Sequence, residues 1–121
     1  MNWTLVFVVV VILAVYLALK RSGQISPADA QSHLKNGALL VDVRTAGEYA
    51  SGHLPSAINI PLDEIEVSLP RHEKDKNQVI LLHCQSGTRS GVAKRRLNAL
   101  GYANAFNLGS YARAAQIVSD K

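Results

Sequence analysis

The segment with the clearest chemical potential surrounds the single cysteine of the chain and reads Cys84-Gln85-Ser86-Gly87-Thr88-Arg89-Ser90. It follows an apolar run typical of a buried strand and precedes an amphipathic helix pattern, which predicts a strand-to-helix connection. Small residues around Gly87 allow successive backbone amides to curl toward one point and bind an anion there, beside a helix N-terminus. A thiol in that place loses its proton more easily than a free thiol, so Cys84 is a candidate nucleophile.

Polar residues elsewhere are placed to support this loop. Asp42 and Arg44 lie where the first long apolar run ends, and we expect them to hold the loop by hydrogen bonds or ion pairs. Glu48 follows Arg44 by four residues, a spacing that favours a local ion pair between them. Arg89 is interpreted as pointing inward over a bound anion. His83 precedes the cysteine directly, and neighbouring strand residues face opposite sides, so we do not expect it to act as a base.

Composition excludes several kinds of site. A single cysteine forms no intrachain disulfide and no cysteine-based metal cluster, and neither a metal nor a cofactor is expected. Basic residues do not alternate with aromatic residues along any stretch, so no nucleic-acid partner is predicted. The net charge is +4, but Lys20 and Arg21 lie beside the apolar N-terminus and the remaining excess is weak. The run at residues 94–96 is interpreted as a solvated helix face.

The N-terminus has the composition of a membrane anchor. No charged side chain occurs from Asn2 to Leu19, and a helix of this length spans about 27 Å, close to the thickness of a hydrocarbon core. An uncleaved single-pass helix is favoured over a signal peptide because no basic residue precedes the run and no small-residue cleavage pair follows it. Lys20 and Arg21 follow the segment, which predicts a membrane protein with its soluble domain in the cytoplasm. The predicted organisation is an anchor at 1–20, a linker at 21–24 and a domain at 25–121.

The soluble part alternates strand and helix patterns. Ser26 and Pro27 indicate a helix start, and apolar runs of strand length are separated by short helical segments. This alternation predicts an α/β fold, an open and mostly parallel five-stranded sheet with helices on both faces, preceded by the transmembrane helix. The strand patterns occupy residues 38–43, 58–60, 79–83 and 105–108.

Several motifs, in this order and over nearly the whole soluble part, resemble the rhodanese family. The cysteine loop is one of them, and a polar–apolar–basic end to the first long strand is another. Gly109 is followed by Ser110 where the family often has paired glycines, and no tryptophan follows. This departure concerns the packing of the last helix. The strand end is Asp42-Val43-Arg44, and the other matching segments are Glu48-Tyr49, residues 52–61, Leu100-Gly101-Tyr102 and Phe106-Asn107-Leu108-Gly109.

The resemblance implies a thiosulfate sulfurtransferase-like enzyme. Cys84 would take sulfane sulfur from a donor such as thiosulfate, hold it as a persulfide, and pass it to a thiophilic acceptor. The partners implied are a small sulfur-containing anion and a thiol acceptor, either a small molecule or a protein. Asp42 and Arg44 would support the loop, and the substrate-binding residues would be Gln85, Ser86, Gly87, Thr88, Arg89 and Ser90.

Two alternatives remain open. Phosphatases and arsenate reductases also place a cysteine in an amide-lined loop that ends at an arginine, but five residues separate that pair in the phosphatase loop. Cys84 and Arg89 enclose four, which leaves a tighter pocket suited to one sulfur atom. The second alternative is a non-enzymatic sulfur carrier or sensor, or a partner-binding module at the membrane.

Overall fold

Helices and strands alternate along the chain in the order that the sequence predicts. The computed structural model describes residues 2–120, and within its first helix the side chains of residues 18–22 are not described. A short 3₁₀ turn at Leu62–Glu64 precedes the fourth helix. The helices are α1 (Trp3–Ser22), α2 (Pro27–Lys35), α3 (Ala46–Ala50), α4 (Ile65–His72), α5 (Thr88–Ala99) and α6 (Tyr111–Ser119), and the strands are β1 (Leu39–Asp42), β2 (Ile58–Asn59), β3 (Ile80–His83) and β4 (Ala105–Gly109).

The strands form one parallel sheet with the order β2-β1-β3-β4. Asp42, the last residue of β1, pairs in register with His83, the last residue of β3. Because parallel strands end at the same edge of a sheet, the segments that follow β1, β3 and β4 are neighbours. The cysteine loop and the Asp42–Arg44 segment therefore lie side by side.

Side chains of the two central strands alternate between two cores. Leu40 and Leu81 face a core shared with α2 and α6, to which Ala30 and Ile117 contribute. The opposite core contains Val41 and apolar side chains from α4 and α5. Fully burying such an aliphatic side chain stabilises the fold by roughly 1.5 to 3 kcal/mol. The prediction of a parallel α/β sheet with helices on both faces is confirmed.

The predicted fifth strand is wrong for the described residues, because the sheet has four. Before β1, the chain makes a single parallel bridge between Gln24 and Asn107, with the Ile25 amide donating to the Asn107 carbonyl at 3.0 Å. Ser26 then caps α2 by accepting from the Asp29 amide, and Pro27 begins the helix. A proline has no N–H to donate, so the pairing cannot continue as a strand.

The predicted membrane anchor is not supported either. Within the part of the chain that the structure describes, no helix combines the length and the apolar character needed to cross a membrane. The predicted anchor at residues 1–20 lies partly outside the described residues, since Met1 and the side chains of residues 18–20 are not described. The backbone of α1 continues to Ser22, so the linker predicted at 21–24 begins inside this helix.

Helix α4 contains Pro70 and continues past it to His72. A proline inside a helix removes one hydrogen bond to the carbonyl four residues earlier, here that of Glu66. Glu66 lies on the exposed side of α4, where water can supply the missing partner. Helix α4 therefore tolerates Pro70 near its C-terminal end.

Candidate active site

The loop from Cys84 to Gly87 joins β3 to α5 and is shaped by one backbone conformation. Gly87 has φ +94°, in the left-handed region that side chains disfavour, and a Cβ there would lie 3.2 Å from the Gln24 side chain. This residue reverses the chain so that α5 begins at Thr88. The reversal directs the amides of Gly87 and Ser90 toward the sulfur of Cys84.

Three groups that can donate a hydrogen bond lie around the Cys84 sulfur. The Gly87 amide lies 3.0 Å from Sγ, the Ser90 amide 3.4 Å and the Ser90 hydroxyl oxygen 3.5 Å. Cys84 and Ser90 are fully buried. Burial raises the pKa of Cys84, but the hydrogen bonds from the Ser90 hydroxyl and from the amides of Ser90, Gly87 and Ser86 together outweigh it and lower the pKa below its ordinary value. The arrangement stabilises a negatively charged sulfur.

Asn107, which the sequence analysis does not single out, lies under the loop. Its Nδ2 donates to the Gly87 carbonyl at 3.1 Å, and its Oδ1 accepts from the Gly109 amide at 2.9 Å and lies 2.7 Å from the Ser90 hydroxyl oxygen. The sequence signal was a lone amide within the apolar pattern of β4, next to Phe106 and Leu108. A buried polar side chain needs hydrogen-bond partners, and Asn107 finds them in the loop.

Arg89 forms an ion pair at the side of the loop. Its Nη1 and Nη2 donate to the two carboxylate oxygens of Glu48 at 2.7 and 3.0 Å, and each side chain is about one third exposed. Glu48 also completes a capping box with Thr45 at the start of α3. The hydrogen bonds from Arg89, followed by those from Thr45, lower the pKa of Glu48 to about 2. The predicted pairing of Glu48 with Arg44 is wrong, because Glu48 pairs with Arg89.

Asp42 and Arg44 form a buried pair that reaches the loop. Arg44 donates through Nη2 to Asp42 Oδ2 at 2.7 Å and through Nε to both carboxylate oxygens at 3.0 Å. The same guanidinium donates to the Gly52 carbonyl at 2.8 Å, contacts Gln85 Oε1 at 3.5 Å, and lies 4.6 Å above the Tyr111 ring. The pair therefore links the end of β1 to the cysteine loop and to α6.

His83 is buried but does not face the sulfur. Its Nδ1 lies 3.3 Å from the carbonyl oxygen of Cys84, and its Nε2 has no hydrogen-bond partner among the described residues and lies 3.8 Å from Asp42 Oδ2. Burial lowers the pKa of His83. Neither ring nitrogen contacts the thiol, so this arrangement gives His83 no role as its base.

The remaining loop residues are exposed. Gln85, Ser86 and Thr88 lie at the surface, whereas Gly87 and Ser90 are buried against the sulfur. The Gln85 carbonyl accepts from the Tyr111 amide at 3.2 Å, and Ser86 makes a bridge with Ser110. These contacts fasten the outer rim of the loop to the start of α6.

A cavity of about 380 Å³ adjoins the loop. Two basic residues of α5, Lys94 and Arg95, are part of its wall and form no ion pair among the described residues. No acidic residue lines it, and its other walls include Gln24, Gly87, Gly91 and Asn107. Within the described range, no group of three or more histidine, cysteine or acidic side chains is placed to bind a metal ion.

Comparison with known proteins identifies the family. The model of the Rhodanese-like domain matches residues 26–113. A relative named thiosulfate sulfurtransferase PspE, from Escherichia coli, is 38% identical over 69 residues, which cover 57% of this chain and 66% of the relative. A thiosulfate:glutathione sulfurtransferase from Saccharomyces cerevisiae is 33% identical over 79 residues, covering 54% of this chain and 55% of the relative. The chain thus matches less than two thirds of these relatives' lengths.

Solved structures agree with the match. A structure described as a rhodanese with anions from E. coli is 34% identical, has a TM-score of 0.62, and is matched over 64% of this chain and 91% of its own. A human single-domain sulfurtransferase is 28% identical with a TM-score of 0.65, over 78% of this chain and 96% of its own. The sequence match covers most of the domain, and the fold agrees with it. The chain belongs to the rhodanese-like domain family.

Proposed function

We propose that this protein is a sulfurtransferase that carries sulfane sulfur as a persulfide on Cys84. The observation that carries the proposal is the geometry around Sγ, where two backbone amides and one hydroxyl converge on a buried sulfur. The two amides are held in place before the reaction, and donors of this kind stabilise negative charge as it develops. The relatives named as sulfurtransferases support the same activity.

The first half-reaction transfers sulfur to the protein. The Cys84 thiolate attacks the outer sulfur of a donor such as thiosulfate, the sulfur–sulfur bond of the donor breaks, and its electron pair leaves with sulfite. The product is an anionic persulfide on Cys84, so the total charge is unchanged. The amides of Gly87 and Ser90 face the attacking sulfur before the reaction begins.

The second half-reaction transfers the outer sulfur to an acceptor. A thiophilic nucleophile, such as cyanide in an assay or a thiol in the cell, attacks the outer sulfur and regenerates the Cys84 thiolate. Cyanide leaves as thiocyanate and a thiolate leaves as a persulfide, so the charges again balance. A cysteine that forms a covalent intermediate and then releases it fits ping-pong kinetics.

The partners in this proposal are a small sulfur-containing anion and a small-molecule or protein thiol. Lys94 and Arg95 support an anionic donor, since both lie in the wall of a cavity beside the loop and neither is neutralised by a described acidic side chain. Arg89 is paired with Glu48, so most of its charge is already balanced. Attraction of the donor therefore depends on the loop amides and on these two cations.

Steady-state turnover tests this function. The full chain is assayed with thiosulfate and cyanide by following thiocyanate, with Cys84→Ser as the matched control. We expect parallel lines in double-reciprocal plots and no turnover by the variant. Equal turnover by the variant would refute the role of Cys84. A persulfide that forms but supports no turnover with either cyanide or a thiol would favour the carrier or sensor function.

A further inference from the structure

The Ser90 hydroxyl faces more acceptors than it has protons. Four acceptors lie within 3.5 Å of its oxygen: Asn107 Oδ1 at 2.7 Å, the Gly87 carbonyl at 3.2 Å, and the Cys84 sulfur and Gly109 carbonyl at 3.5 Å each. A hydroxyl donates one hydrogen bond and can accept two. The distance of 2.7 Å is the usual length for an O–H···O bond. The proton of Ser90 therefore points to Asn107 in this arrangement, and a lone pair of the same oxygen faces the sulfur.

Asn107 cannot exchange the two ends of its amide. Nδ2 must face the Gly87 carbonyl, because only the NH₂ group donates, and Oδ1 must face the Gly109 amide, because only the oxygen accepts. The residue is 6% exposed, so water does not compete for these bonds freely. Oδ1 is consequently fixed as the acceptor for the hydroxyl of Ser90.

We propose that Asn107 is a positioning residue that acts through Ser90, holding the hydroxyl proton while Cys84 is a thiol and releasing it to Sγ when the sulfur becomes negatively charged. A hydrogen bond from a hydroxyl to an anion is stronger than one to a neutral amide oxygen. Negative charge on the sulfur therefore favours rotation of the Ser90 O–H from Asn107 Oδ1 toward Sγ. Only the hydroxyl hydrogen rotates. The negative charge can belong to the Cys84 thiolate or to its persulfide. For the persulfide the inference rests on the proposed function, and for the thiolate it does not.

In the thiol state, the same geometry lets the Ser90 oxygen accept from the Cys84 S–H. The chain of donors then runs from the sulfur through Ser90 to Asn107. After the thiol proton is lost, the chain reverses at its first step and Ser90 donates to Sγ. The Ser90 hydroxyl therefore accepts from the neutral thiol and donates to the charged sulfur, without movement of a heavy atom.

A double-mutant cycle tests the inference. The variants are Ser90→Ala, Asn107→Asp and their combination, made in the full chain. The readout is the thiolate absorbance of Cys84 against pH, with Cys84→Ser as the blank. Asp at this position is the better acceptor, so it retains the Ser90 proton and raises the pKa of Cys84 by about one unit or more. Ser90→Ala has no hydroxyl proton for the carboxylate to retain. In that background, we expect Asn107→Asp to shift the pKa of Cys84 by less than half as much as it does when Ser90 is present.

Other charged groups of the site are unchanged by these substitutions, and their contribution is common to all variants. A new carboxylate also acts on the thiolate by charge alone, and that effect persists without Ser90, so the cycle separates the two causes. The groups held constant are Asp42 at the end of β1, Arg44 just after it, His83 of β3, Arg89 of α5 with Glu48 of α3, and Tyr111 of α6.

Equal shifts in the two backgrounds, or no shift from Asn107→Asp in a folded protein, would overturn the inference. If Asn107→Asp does not fold, Asn107→Ser replaces it in the same cycle. The shift that Asn107→Ser causes in the pKa of Cys84, whether up or down, must then be at least halved in the Ser90→Ala background. The titration needs no sulfur donor. The cycle could show the expected dependence on Ser90 in a protein that forms no persulfide with thiosulfate. That result would refute the proposed function and would leave the inference about the thiolate standing.

Discussion

Glu48 and Arg89 lie 41 residues apart in the chain and meet through two hydrogen bonds of 2.7 and 3.0 Å beside the cysteine loop. The pair joins the start of α3 to the first turn of α5. It places a carboxylate next to the one arginine of the loop, which determines how much positive charge that arginine offers to an anion.

Glu48→Gln is expected to lower stability in a pH-dependent way. The pKa of Glu48 falls from 4.5 to about 2 in the folded protein. A group whose pKa is lowered by folding stabilises the protein above its unfolded value, and this stabilisation is lost as the pH falls toward 2. We expect urea unfolding to show a loss of about 0.5 to 1 kcal/mol at neutral pH, as for a partly exposed ion pair. The loss should shrink as the pH falls through 2. A constant difference between the two proteins across this range would contradict the pairing of Glu48 with Arg89.

Asp42→Asn is expected to be far more destabilising. It leaves the buried Arg44 guanidinium without its partner, and breaking a buried pair on one side typically costs about 3 to 5 kcal/mol. The matched control is Glu66→Gln, which removes the carboxylate from an exposed pair with Arg96 at 3.6 Å. Denaturant unfolding should place the control within about 1 kcal/mol of the parent protein. Similar losses for the two variants would show that the Asp42–Arg44 pair does not hold this edge of the sheet.

Much of this arrangement is predictable from the sequence, because it depends on local pattern. The apolar runs predict all four observed strands, and Ser26-Pro27 predicts the start of α2. The loop geometry is also predictable from its amino-acid sequence, since Gly87 adopts the left-handed conformation that directs the amides toward the sulfur.

Contacts between distant segments are not predictable in this way. The pairing of Glu48 with Arg89 depends on how α3 and α5 pack, and sequence spacing favoured Arg44 instead. Asn107 contacts the loop only because β4 ends beside β3. Only four apolar runs have the length and pattern of strands, so the predicted fifth strand had no segment of its own, and the sheet has four strands. The apolar N-terminus predicted a membrane anchor that the described residues do not support.

Removing the two cations of the cavity is expected to weaken the use of an anionic donor. In Lys94→Ala with Arg95→Ala, we expect the KM for thiosulfate to rise about threefold to tenfold at low salt, with a smaller effect at high salt because ions screen the attraction. The matched control removes one arginine and one lysine elsewhere, Arg71 and Lys74, which are exposed and precede β3 in the chain. Equal changes in the two double variants would show that net charge matters and the position of the cations does not.

The rate of sulfur loading should follow the ionisation of Cys84. Because the loop hydrogen bonds lower the pKa of this thiol below its ordinary value of 9.0, the reactive thiolate accumulates at lower pH than in a free cysteine. Single-turnover loading by thiosulfate is therefore expected to rise with pH and to reach its plateau at a lower pH than for an unperturbed thiol. The reference is a small unperturbed thiol under the same conditions. A profile that coincides with this reference would mean that the loop does not activate the thiol.

The central claim, that Cys84 carries the sulfur, is tested most directly by intact-mass spectrometry of the full chain after incubation with thiosulfate. We predict that the protein gains the mass of one sulfur atom, that cyanide removes it as thiocyanate, and that Cys84→Ser gains nothing. An unmodified mass with thiosulfate and with other persulfide donors, or the same gain in Cys84→Ser, would contradict the account.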